Sequence, residues 1–202
     1  MISEEHTRPG PAGKLAIALG VGLILLLGSL VLTFLAMFGV TGPLFNEDRV
    51  LPLLPRMMAV MVLFPIWSFC CHLETRRAGH SPRFHPAAAF YFYLIPVAQI
   101  VLPVLFMFDI QNGLARPATP TWRRYAARAL ATGWWAAFVV VFAMTFAFLG
   151  HVTSEMALSE EHPGLYMGVI MGLCLFGSLC ALLMIADTIH ALITQTANTK
   201  SA

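Results

Sequence analysis

The chain has 202 residues, of which 58% are hydrophobic and only 11% are charged, and its formal net charge is +2. Several apolar stretches approach the roughly 20 residues of a helix that crosses a bilayer, so the composition excludes a soluble globular domain and indicates a polytopic α-helical membrane protein. The apolar runs do not alternate with polar residues, which excludes a transmembrane barrel, and the small net charge gives no reason to expect a nucleic-acid partner.

The first part of the chain is predicted to hold a polar tail and one span. Residues 1–14 are polar and form the tail, and residues 15–40 are apolar. This apolar run is too long for the core of an ordinary signal peptide, and no clear small-x-small cleavage site follows it, so we interpret it as a retained anchor helix. Turn-forming residues between Thr41 and Pro55 end the helix.

Three further spans are predicted after the first, at about residues 56–73, 129–149 and 164–193. A fourth apolar run, over residues 87–108, lies between the second and third spans. The whole of residues 15–193 is therefore predicted to be one helical membrane domain, followed by a polar tail over residues 194–202.

The run over residues 87–108 is interrupted by two prolines, Pro96 and Pro103, with Gln99 between them. As a straight helix it would reach about 33 Å, which is enough to cross a bilayer core of about 30 Å. Each proline removes a backbone N–H and crowds the carbonyl four residues earlier. In a membrane the freed backbone groups must be shielded by other helices. The run therefore has a second interpretation, as a broken element that enters the membrane without crossing it.

The distribution of Lys and Arg discriminates between these interpretations. Seven of the 12 lie in the two loops beside the broken run, three before it and four after it. Five crossings would place these loops on opposite sides of the membrane, against the positive-inside rule. We therefore predict an all-α integral membrane protein with four transmembrane helices plus a Pro-broken re-entrant or in-plane segment, and with both termini in the cytoplasm. Five transmembrane helices are the alternative.

Four residues form a candidate ligand-binding or structural polar site: Pro96, Gln99, Pro103 and Asp187. Gln99 stands between two helix breaks, as do substrate and ion ligands in transporters, although its amide would also satisfy backbone groups freed by Pro103. Asp187 is the only acid within an apolar run, and intramembrane carboxylates are functional candidates. The structural alternative is an ion pair between Asp187 and an arginine of the basic loops, namely Arg76, Arg77 or Arg124.

The basic loops are candidate contacts for anionic lipid headgroups at the cytoplasmic face, or for a membrane or cytoplasmic protein partner. Trp122 and Tyr125 stand among these arginines, which is typical of an interfacial anchor. The arginines concerned are Arg76, Arg77, Arg116, Arg123 and Arg124.

The sequence gives no support to an enzyme. It contains no G-x-S-x-G, H-E-x-x-H, Gly-rich phosphate loop or paired-carboxylate pattern. The histidines and cysteines of the cytoplasmic side match no zinc spacing, so we predict neither a metal nor a cofactor. They are Cys70, Cys71, His72, His80, His85 and His190.

Short motifs between His72 and Ala137 resemble those of a known family. They are Arg76-Arg77, Ser81-Pro82, Ile95-Pro96-Val97, Leu102-Pro103, Asp109-Ile110 and Trp134-Trp135. Together they resemble the bacterial membrane family DUF4328, a domain of unknown function, over roughly residues 55–193. The chain departs from the family pattern at Gln99, where asparagine is usual, and over residues 104–108, which are more apolar. The resemblance implies a several-span protein of the bacterial inner membrane and implies no activity.

From these observations we predict a non-catalytic polytopic membrane protein that acts as an accessory or interaction component. The alternative is a small transporter or channel whose site lies at the Pro-broken segment.

Overall fold

The computed structural model describes residues 10–38, 53–95, 98, 100–115, 119–153 and 163–198. Within these ranges the regular structure is helical. The helices are α1 (Pro11–Phe38), α2 (Leu53–Arg77), α3 (Ala88–Leu94), α4 (Leu102–Leu114), α5 (Thr121–Thr153) and α6 (Pro163–Asn198).

Four of these helices, α1, α2, α5 and α6, are long and apolar enough to cross a membrane. The predicted all-α membrane protein with four spanning helices is therefore confirmed. Each helix also continues beyond its apolar window, because charged and polar residues can extend a helix that apolar packing has already formed. Thus α5 begins at Thr121 rather than near residue 129, and α6 continues to Asn198.

The four long helices pack in a chain of neighbours, with α6 against both α5 and α1, and α1 against α2. Their shared core is apolar and contains the fully buried Leu23, Trp67 and Ile185. Gly20 permits this packing, since a Cβ there would lie 2.7 Å from Ile189 Cδ1 and 3.0 Å from Trp67 Nε1. The absence of a side chain at Gly20 thus lets α1 approach α2 and α6 closely.

The run over residues 87–108 is not one straight helix. The helix α3 ends at Leu94, and α4 starts at Leu102 with Pro103 in its first turn. Proline is tolerated there because the first backbone N–H groups of a helix have no intrahelical partner. Trp135 of α5 donates from Nε1 to the backbone oxygen of Ile100 at 2.7 Å, so one carbonyl at the break receives a partner from another helix. Pro96 and Gln99 lie outside the described residues.

Contacts along α4 show the direction in which it runs. Ser68 Oγ lies 3.9 Å from Met107 Sδ, and a Cβ on Gly113 would lie 2.8 Å from Thr75 Cβ. Helix α4 therefore runs beside α2 in the same direction and ends where α2 ends. The segment α3–α4 consequently starts and finishes at the same end of the bundle.

Candidate functional site

The charged residues that the structure describes gather at one end of the bundle, where α1 and α5 begin and α2, α4 and α6 end. We call this the basic end and define it by Lys14, Arg76, Arg77, Arg83, Arg123, Arg124 and Arg128. All three described carboxylates, those of Glu74, Asp109 and Asp187, also lie there. Arg56 is the remaining described basic residue, and it donates to Thr33 Oγ1 at 3.0 Å near the other end.

Glu74 joins the start of α1 to the end of α2. Its Oε1 accepts a hydrogen bond from the Gly10 backbone N–H at 3.0 Å and lies 3.9 Å from Arg77 Nη1. A Cβ on Gly10 would overlap the Arg77 guanidinium, so the close approach of the two helices depends on glycine. Glu74 therefore fixes the position of α1 at the basic end.

Asp109 of α4 holds the loop over residues 78–87. The carboxylate is 6% exposed, and its Oδ2 accepts hydrogen bonds from the backbone N–H groups of Arg83 at 2.9 Å and Phe84 at 3.4 Å. His80 Nε2 lies 3.5 Å from Oδ1. Backbone donors and an imidazole thus surround one nearly buried carboxylate, which fixes the loop against α4.

His72 holds the same loop from the side of α2. It is fully buried and its Nε2 lies 2.9 Å from the Phe84 backbone oxygen. Because a carbonyl oxygen only accepts, Nε2 is the ring nitrogen that carries the proton. The ring also stacks on Phe106 of α4, with centroids 4.6 Å apart and planes inclined by 12°. We call the pair Asp109 and His72 the loop clamp.

Asp187 of α6 is paired with Arg123 of α5. Its Oδ1 accepts from Arg123 Nε at 3.0 Å and from Nη2 at 2.6 Å, and about one third of each side chain is exposed. The sequence predicted an ion pair as the structural role of Asp187 but named Arg76, Arg77 and Arg124 as partners. Arg123 is the partner because it lies on the face of α5 that packs against α6.

A cleft of about 260 Å³ opens between the end of α4, the start of α5 and the end of α6. We call it the basic cleft. Its polar lining contains three arginines of α5, the Asp187 carboxylate, two amides, one imidazole and three hydroxyls. These residues are Arg123, Arg124, Arg128, Asp187, Gln111, Asn112, His190, Thr119, Thr188 and Thr194.

Two contacts fix the amides of the basic cleft. Gln111 Nε2 donates to the backbone oxygen of Ala127 at 3.0 Å, and Arg128 Nη2 donates to Asn112 Oδ1 at 3.0 Å. The other amide atom of Gln111, Oε1, is buried and has no hydrogen-bond partner among the described residues.

The predicted site residues do not form a single cluster in the part of the chain that is described. Pro103 is buried at the start of α4. Asp187 of α6 lies at the level of Gln111, near the end of α4, and Gln111 is about 12 Å from Pro103 along α4. Pro96, Gln99 and Arg116 lie outside the described residues. Arg76 is exposed, Arg77 lies beside Glu74, and Arg123 and Arg124 line the basic cleft.

The sequence did not predict the roles of three residues at the basic end. Asp109 and His72 form the loop clamp, and Gln111 binds the Ala127 backbone oxygen in the basic cleft. In the described residues no three His, Cys, Asp or Glu side chains come together in a way that would hold a metal ion, and the four cysteines are free.

A family model described as Domain of unknown function (DUF4328) matches residues 51–192, which includes α2 to α5 and most of α6. No curated protein and no solved structure matches the chain.

Proposed function

Because the chain belongs to the DUF4328 family, as its sequence predicted, we propose that it is a non-catalytic multi-pass protein of the bacterial inner membrane that acts as an accessory or interaction component. The family description assigns no activity, so the proposal rests on the distribution of burial and charge. The observation that carries it is the exposure of α5.

Helix α5 is the spanning helix with the least support from its own chain. Only 11% of its apolar window is buried inside the protein, compared with 28% for α1, 39% for α2 and 33% for α6. Large apolar side chains such as Phe138, Val140 and Phe146 are exposed along it. Helices associate in membranes through close packing, so this face of α5 is the part of the bundle best suited to receive a helix of a partner protein.

The charged side chains support a structural rather than a catalytic use of the polar residues. Glu74 binds the start of α1, Asp109 binds a loop backbone, and Asp187 binds Arg123. Each described carboxylate thus already accepts hydrogen bonds within the chain. A general acid or base would instead need to reach the proton of a substrate.

The basic end supports an orientation with this end in the cytoplasm. Lys and Arg are enriched in cytoplasmic loops, and a basic end is attracted to the anionic lipids of the cytoplasmic leaflet. With this orientation α3–α4 is a re-entrant segment, since both of its ends lie at the basic end. The start of α1 and the end of α6 then also face the cytoplasm.

Photocrosslinking in membranes tests the interaction role. A photoreactive residue at Val140 of α5 should give one discrete protein adduct, whereas the same residue at Leu32 of α1, which is 68% exposed, should give mainly lipid products. Both positions are apolar and exposed, so Leu32 is a matched control. If Val140 yields no discrete adduct, or if both positions yield the same products, α5 is not a partner-binding helix.

The second candidate is a small transporter or channel, and the break between α3 and α4 is the observation that favours it. Of the four residues predicted for its site, Pro96, Gln99 and Pro103 lie at or beside the break in sequence, whereas Asp187 lies about 12 Å from Pro103 along α4. Flux assays on reconstituted protein test it with Gln99→Ala and Asp187→Asn. A transporter site predicts loss of flux in at least one of these variants, whereas an unchanged flux in both removes this candidate.

A further inference from the structure

We propose that the partner of α5 is a second copy of this chain, and that two copies pack in the membrane so that each covers the break between α3 and α4 of the other. The inference rests on the proposed interaction role of α5 and names the protein that binds there. It is supported by the depth of the break, by its exposure and by the aromatic residues beside it on α5.

The break between α3 and α4 lies near the middle of the membrane. Met107 of α4 lies beside Ser68 of α2. Because the two helices run in the same direction, Leu102 at the start of α4 lies level with about Leu63 of α2. That level is about 16 Å from Glu74 along α2, and the hydrocarbon core of a bilayer is about 30 Å thick. The backbone is therefore non-helical at a depth where lipid offers it no hydrogen bonds.

The residues beside the break are exposed within a single chain. Ile95, Ile100 and Val101 are 49%, 41% and 52% exposed. Non-helical backbone at membrane depth is tolerated only where it is buried in protein or lines a water-filled cavity. The exposed side chains here are apolar, and an apolar cavity stays dry. Protein from outside this chain is therefore needed to cover the break.

Aromatic residues of α5 continue the same surface away from the basic end. Trp135 contacts the break through the Ile100 carbonyl. Phe138, Phe142 and Phe146 follow on the same side of the helix, within about 60° of Trp135 at about 100° per residue, and we call them the aromatic ridge. Neighbouring ring centroids of the ridge lie 6.0 and 4.5 Å apart, and Phe146 is 59% exposed. The break and the aromatic ridge thus form one apolar surface.

This surface is complementary to itself about a two-fold axis along the membrane normal. Such an axis keeps every residue at its own depth, so the ridges of two copies meet each other and pack as aromatic pairs. Phe138 lies about 4.5 Å beyond Trp135 along α5, close to the level of the break. Its ring would pack on Ile100 and Val101 of the second copy, and symmetry supplies the reciprocal contact. A single interface between two copies therefore covers both breaks and both ridges, whereas a different protein would need a separate matching surface.

Disulfide crosslinking in membranes tests the proposal. In a full-length chain whose four natural cysteines are replaced, Phe146→Cys places one thiol on the aromatic ridge, close to the two-fold axis. Mild oxidation should convert most of this variant to a covalent dimer. Leu32→Cys of α1 is the matched control, because Leu32 is 68% exposed and lies at a similar distance from the basic end, about 33 Å along its helix. The control should stay monomeric.

A mixed experiment tests the contact between the aromatic ridge and the break. Two chains with different affinity tags are produced together, one with Phe138→Cys and the other with Val101→Cys. Each chain holds a single thiol, so a disulfide product that carries both tags joins two copies. Oxidation should yield this product, whereas the pair Leu32→Cys and Val101→Cys should yield none.

Two results would overturn the proposal. If Phe146→Cys forms no more dimer than Leu32→Cys, the dimers come from random collision in the membrane. If ridge dimers form but Phe138→Cys and Val101→Cys never combine, a second copy does not cover the break. A photoadduct of Val140 with a different protein, without disulfide dimers, would retain the proposed function and reject the second copy as the partner. The absence of both products would reject both.

Discussion

Removal of the Asp109 carboxylate should destabilise the basic end more than removal of either of the other two described carboxylates. Those are Glu74 and Asp187, and both are more exposed than Asp109. In Asp109→Ala the backbone N–H of Arg83 loses its acceptor at 2.9 Å, and the N–H of Phe84 loses a longer contact at 3.4 Å. A hydrogen bond to a charged acceptor contributes about 1.5 to 3 kcal/mol. The second contact is long and the loop is partly exposed to water, so we expect a loss of about 2 kcal/mol in the free energy of unfolding.

Two comparisons give this prediction its controls. Asp109→Asn keeps an oxygen that both N–H groups can share, because both bond to the same Oδ2, so we expect a loss of only about 1 kcal/mol. Asp187→Ala removes an ion pair that is about one third exposed on both sides. Solvent screening limits such a pair to at most about 1 kcal/mol.

Thermal unfolding in detergent measures these differences, and a loss of 2 kcal/mol corresponds to a melting temperature lower by about 4 to 8 °C in a chain of this length. The reasoning is refuted if Asp109→Ala lowers the melting temperature no more than Asp187→Ala does.

The remaining predictions concern packing around the same elements. Gly113→Ala should cost about 1 to 3 kcal/mol through overpacking, because its Cβ would lie 2.8 Å from both Thr75 Cβ and His80 Cδ2. The control is Gly172→Ala, whose Cβ would meet nothing within 4 Å. This variant should be neutral or stabilise the protein by up to about 1 kcal/mol. Equal melting temperatures for these two variants would contradict the packing of α4 on α2. His72→Phe keeps a ring against Phe106 but loses the hydrogen bond to Phe84, so it should cost about 1 kcal/mol; an unchanged melting temperature would contradict this contact. Trp135→Phe should leave the Ile100 carbonyl without its donor and cost about 1 kcal/mol; an unchanged melting temperature would show that this contact does not hold the break.

Much of the architecture was predictable because membrane insertion imposes strong and local rules. Apolar runs of sufficient length predicted the four spanning helices, and Pro103 indicated a break that the structure places at the first turn of α4. The start of α5 was less predictable. The sequence predicted this span only from about residue 129, but proline suits the start of a helix, and α5 begins directly after Pro120 at Thr121.

The arrangement of the site could not be predicted to the same degree, since it depends on which side of each helix faces a neighbour. Arg123 and Arg124 are adjacent in sequence but point about 100° apart around α5, and only helix packing determines that Arg123 meets Asp187. The role of Asp109 gave no sequence signal either, because its main partners are backbone N–H groups, which every residue except proline carries. The buried Gln111 acceptor likewise depends on the contact between α4 and α5.

The sidedness of the basic end tests the central claim most directly. In a chain whose four natural cysteines are replaced, one single cysteine at Ser81 lies before α3 and another at Asn112 lies in the last turn of α4. A third, at Ser159, lies in sequence between α5 and α6, whose adjoining ends are opposite the basic end. Labelling of intact and permeabilised cells with a membrane-impermeant thiol reagent should show positions 81 and 112 reacting only from the cytoplasm and position 159 reacting from outside. Reaction of positions 81 and 112 from opposite sides would mean that the segment crosses the membrane, and it would contradict the single cytoplasmic basic end.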